Sequence, residues 1–87
     1  MALPGEDLVA RGLDDLNRGA ESVFSLLVSI GAPRLRTLGV EIGATFDDPE
    51  HRLYRLLAAS HGDAGHSRYN ALIRRLVSFE RALACGR

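Results

Sequence analysis

Apolar residues recur along the first third of the chain at alternating steps of four and three: Val9, Leu13, Leu16, Ala20, Val23, Leu27 and Ile30. That sustained spacing of about 3.5 residues is helical and no strand reproduces it. Phe24 joins the seam, and Val28 and Ala10 widen it. Arg11, Asp14, Asp15, Arg18, Glu21, Ser22, Ser25 and Ser29 fall on the opposite side and read as a wet face. The pattern predicts one long helix over 6–30, about 37 Å at roughly 1.5 Å per residue. Gly12 and Gly19 each cost about 1 kcal/mol in a helix interior relative to alanine. At the flank of the seam they admit a neighbouring backbone.

Gly31-Ala32-Pro33 reads as a stop followed by a restart, with Gly31 suited to a left-handed cap and Pro33 to a first turn. Leu35, Leu38 and Ile42 then fit a short helix over 33–42. Asp48-Pro49-Glu50 is a helix start, with Asp48 as N-cap and Pro49 in the first position. The helix it opens, over 48–61, buries Leu53, Tyr54 and Leu57 and closes at His61-Gly62. Ser67 is expected to cap a last helix over 67–84, whose seam is Tyr69, Leu72, Leu76, Phe79 and Leu83. This second stripe suits packing against the first. Residues 1–5 are a leader broken by Pro4-Gly5. The expected fold is all-α: a single-domain helical bundle of three long helices and one short one.

Composition narrows the function more by exclusion than by pointing. The chain has 87 residues, and its basic and acidic side chains balance at 11 each, so no global charge draws it to nucleic acid or an acidic membrane. All the basic residues other than histidine are arginine, read as a coding bias toward GC-rich codons. The single cysteine, Cys85, cannot build a disulfide framework and fits a reducing compartment. No apolar run approaches the roughly 20 residues of a membrane span, and the N-terminal residues lack the pattern of a secretory signal. A cytoplasmic protein is expected.

Three constellations carry candidate chemistry. The window Val23 to Ile30 is apolar except at Ser25 and Ser29, more than a surface helix of a small monomer shows. Val23, Phe24, Leu27, Val28 and Ile30 are therefore the expected interface of a non-enzymatic protein-interaction module, docking a partner helix or, most simply, forming a two-fold homodimer. Arg68, Arg74, Arg75 and Arg81 on the last helix offer an alternative, a small DNA-binding or regulatory protein. However, the helical wheel puts Arg74 and Arg81 on one side of the seam and Arg68 and Arg75 on the other, as in a solvated amphipathic helix. His61, Asp63 and His66 could ligate a metal if the loop bent them together, but their spacing matches no standard signature. Glu80 falls inside the apolar arc of the last helix, where an unpaired carboxylate would have a raised pKa. Asn17 sits at the edge of the first seam and suits a role in register. No nucleophile, phosphate loop or cofactor motif is visible, so no cofactor and no enzyme activity are expected.

Overall fold

The computed structural model describes residues 3–86. The fold is an all-α bundle, as the periodicity predicts. Its helices are α1 (Glu6–Asn17), α2 (Val23–Thr37), α3 (Pro49–His61) and α4 (Gly65–Cys85), with a single 3-10 turn, Gly62–Ala64, between the last two. Of the expected leader, Met1 and Ala2 lie outside the described residues.

The long first helix is the main correction. The chain turns sharply between Asn17 and Val23 and divides the predicted seam between two helices. Gly19 is the reason it can. With φ +70°, it takes the left-handed position just past the end of α1. Its N–H donates to the Leu16 carbonyl at 3.0 Å, and that of Ala20 donates to the Asp15 carbonyl at 2.8 Å. These two bonds make a Schellman cap and satisfy carbonyls the helix leaves open. Ser22 then opens α2 with a reciprocal capping box. The Ser25 N–H donates to Ser22 Oγ at 3.1 Å, and the Ser22 N–H donates to Ser25 Oγ at 2.8 Å.

The second correction concerns 33–42. α2 runs through Pro33 to Thr37, so no new helix begins there. Pro33 lacks the N–H that would bond the Ser29 carbonyl. Nearby hydroxyls add bonds along the same stretch: Thr37 donates to the Pro33 carbonyl at 3.0 Å, and Ser29 to that of Ser25 at 2.8 Å. A second Schellman cap ends α2, with Gly39 at φ +95° and the Val40 N–H on the Leu35 carbonyl at 3.0 Å.

From Val40 to Phe46 the chain is neither helix nor strand and forms a strap. Val40, Ile42 and Phe46 pack against the core. Arg36 holds the strap by donating to the carbonyls of Ile42 (3.2 Å) and Gly43 (2.6 Å).

α2 is the centre of the molecule. It packs against α1, α3 and α4, whereas among the described residues the backbone of α1 approaches α4 only marginally and does not come close to α3. A helix enclosed on several sides must be apolar around most of its circumference, which accounts for the composition of Val23 to Ile30. Leu26, Leu27, Val28 and Leu35 are fully buried, as are the side chains of Leu53 from α3 and Ser25 from α2 itself. The radius of gyration is 12.5 Å, near the ~12 Å of a folded chain this long. α4 closes the bundle mainly against α3 and α2, so of the two helices that share the first stripe it meets chiefly α2 and only marginally α1.

Asp48 occupies the N-cap position of α3, with a left-handed backbone (φ 48°) and no side-chain capping bond. α4 starts at Gly65, ahead of the expected Ser67, and without a side-chain cap. Gly65 is what allows it: a Cβ there would stand 3.0 Å from Ala58 Cα, so α3 and α4 meet backbone to backbone.

Candidate functional site

The redistribution of the first seam decides where a surface can function. Leu27 and Val28, expected at an interface, are 0 % exposed and belong to the core of the single chain. Val23, Phe24 and Ile30 are half-buried and pack against its edge. The apolar surplus that suggested a dimer is thus largely covered by α1, α3, α4 and the strap.

Val23 and Phe24 instead open onto a cleft of about 380 Å³ where all four helices converge. They form the first turn of α2, projected there by the Ser22 cap. Leu8 of α1, Leu57 of α3 and Leu72 of α4 complete the apolar lining. Ala71 leaves room for it, and His61, Arg68 and Arg75 supply the polar part of the lining. Arg75 Nη2 lies 3.2 Å from Asp7 Oδ1, an exposed pair joining the start of α1 to α4. The Arg11 guanidinium stands 4.7 Å from the centroid of the Phe24 ring, a cation–π geometry.

The cleft therefore draws one part from each sequence-predicted constellation: Val23 and Phe24, Arg68 and Arg75, and His61. Arg74 and Arg81 are exposed and do not line it, in keeping with the split on the helical wheel. Leu8 was outside the predicted seam, one position ahead of Val9. Its burial reflects the wide face that a 12-residue α1 presents to its neighbours. Leu57 and Leu72 were legible as seam residues, but not as the walls of an opening.

The metal alternative is not borne out by geometry. Among the described residues, no group of three His, Cys, Asp or Glu side chains converges. His61 ends α3, Asp63 sits in the exposed 3-10 turn, and His66 enters the first turn of α4. There His66 Nε2 is 3.2 Å from Asn70 Nδ2, and its ring meets Tyr54 edge-on at 6.2 Å. Tyr54, expected in the core, is 43 % exposed and also meets Tyr69 edge-on at 5.8 Å.

Two carboxylates have displaced titrations, in opposite directions. Asp15, expected on the wet face, is buried in the α1–α2 corner. The Ser22 hydroxyl donates to Oδ2 at 2.6 Å and Arg18 Nη2 to Oδ1 at 2.6 Å, and these bonds hold its pKa below the ordinary carboxylate value. Glu80 is half-buried where α4 crosses α2, with Oε2 only 3.2 Å from where a Gly31 Cβ would stand. Burial pushes its pKa up, partly offset by Arg34. Asn17 is exposed at the last position of α1 and lines a separate shallow recess with Arg36 and Glu41.

Comparison with protein-family models, with curated proteins and with solved structures finds no match to this chain. Among the described residues, no helix is long and apolar enough to cross a membrane.

Proposed function

We propose that this protein is a non-enzymatic helical interaction module that docks a short segment of a partner protein in the cleft between Phe24 and Leu72. The observation that carries this reading is the composition of the cleft. Its lining is mostly aliphatic and aromatic carbon, interrupted by His61, Arg68 and Arg75, a composition suited to holding an apolar anchor side chain of a partner. A volume of about 380 Å³ lies at the lower end of ligand-sized pockets, a size suited to an anchor side chain with its neighbours. The enclosure of Leu27 and Val28 favours this occupant over a second copy docked through the first seam.

A nucleic-acid role for Arg68, Arg74, Arg75 and Arg81 draws support from the exposure of all four. It has less behind it, because Arg75 is paired with Asp7 and the formal net charge is zero.

Selection of displayed random peptides on the full chain tests the docking reading. Enriched peptides that bind the parent and lose binding to Ala71→Trp, which fills the cleft, are expected. Failure to enrich any sequence, or peptides indifferent to Ala71→Trp, would contradict it. Circular dichroism of the variant checks that it stays folded.

A further inference from the structure

We infer that the docked segment is acidic as well as apolar: an anchor side chain enters beside Phe24 and Leu72, and a neighbouring carboxylate pairs with Arg68. This rests on the docking reading above and specifies its partner. The ionisable side chains of the cleft are His61, Arg68 and Arg75, with no acid among them. Asp7 already engages Arg75 at 3.2 Å. Arg68 takes part in none of the ion pairs among the described residues.

Arg68 and Arg75 are seven residues apart on α4, two turns or about 10 Å along one face. Ala71 and Leu72 lie between them, so the free guanidinium stands at one end of an apolar slot. A planar guanidinium accepts a carboxylate with two parallel hydrogen bonds, a geometry lysine does not offer. A basic segment would meet like charge at Arg68, and Asp7 is already committed to Arg75. A nucleic-acid backbone would bring phosphate to both arginines but leave the apolar slot between them unused.

The test compares the peptide pools enriched by the parent protein and by Arg68→Glu, an exposed change that leaves the core untouched. The parent pool should carry Asp or Glu beside an aromatic or aliphatic residue. Such peptides should bind Arg68→Glu about tenfold more weakly or worse, as loss of a charge-assisted pair implies. The Arg68→Glu pool should shift toward Lys and Arg.

Peptides that bind the cleft, as judged by Ala71→Trp, without acidic bias would overturn this inference and leave the docking reading standing. No enrichment at all would remove both. Binding of a short random-sequence DNA duplex that Arg68→Glu abolishes, in place of peptides, would also overturn it, as would a dimer in solution that Ala71→Trp dissociates.

Discussion

Ser22 and Asp15, on opposite sides of the turn between α1 and α2, are joined by a hydrogen bond of 2.6 Å from the Ser22 hydroxyl to the Asp15 carboxylate. The same serine caps α2 through the Ser25 N–H. The Asp15 backbone carbonyl closes the cap of α1. One short contact therefore fixes the angle at which the first two helices meet, and with it the first turn of α2 that carries Val23 and Phe24 to the cleft.

Asp15→Asn should lower the melting temperature and flatten its pH dependence on the acid side. The Ser22 and Arg18 bonds favour the charged carboxylate, so its folded pKa is depressed. Depression means the stabilising contribution is complete above the ordinary value of 3.8. It is lost as pH falls through the lower folded-state value. Thermal melts of parent and variant from neutral pH down through this range check the sign; parallel curves would contradict it.

Glu80→Gln should show the reverse. Burial raises the Glu80 pKa, with Arg34 opposing, so ionisation disfavours the folded state. The penalty is absent below the ordinary value of 4.5 and develops as pH rises through the elevated folded value. Relative to the parent, the glutamine variant gains stability between acid and neutral pH. Paired urea titrations at the two pH values measure that gain, and equal differences at both would contradict it.

Gly12 is where α1 lies on α2. A Cβ there would collide with the Phe24 carbonyl and with Val28 Cγ2. Alanine would contribute about 1 kcal/mol of helix propensity, but overpacking a tight site costs about 1–3 kcal/mol. A backbone carbonyl cannot rotate away as a flexible side chain can, so Gly12→Ala is expected to destabilise. Chemical denaturation would show a lower midpoint, and a midpoint at or above that of the parent would contradict the close approach.

Leu27→Ala should cost about 2–5 kcal/mol, the range for a leucine removed from a closed core. It should leave the molar mass in solution unchanged, because Leu27 is enclosed by its own chain. Light scattering across concentrations reads the mass. A parent dimer that this substitution dissociates would return Leu27 to an interface.

The all-α fold, the start of α3 at Pro49 and its end at His61 were legible because periodicity, proline and glycine agreed there. The α1–α2 turn was not, since the 3.5-residue spacing continues unbroken across it. Gly19 followed three residues later by Ser22-x-x-Ser25 held the signal, a C-terminal glycine and then a capping box. On a wheel drawn through 6–30 those serines and Asp15 look solvated. In the folded chain Ser25 and Ser29 are buried because α2 is surrounded, and periodicity within one segment carries no information about neighbours. Pro33 suggested a boundary for a similar reason, although a proline on the exposed side of a helix can be carried through. The cleft itself arises from side chains on four helices, so its candidate residues were visible in advance only under three separate roles: Val23 and Phe24 as an interface, Arg68 and Arg75 as a nucleic-acid face, and His61 as a metal ligand.

The most direct test of the account is an amide-shift map of the isotope-labelled protein, titrated with a peptide from the parent's enriched pool. Docking in the cleft predicts saturable shifts centred on Leu8, Phe24, Ala71 and Leu72, absent in Ala71→Trp. Shifts centred instead on Arg74 and Arg81, or on the exposed Tyr54 and His66, would contradict it and move the functional surface to the outer face of the bundle.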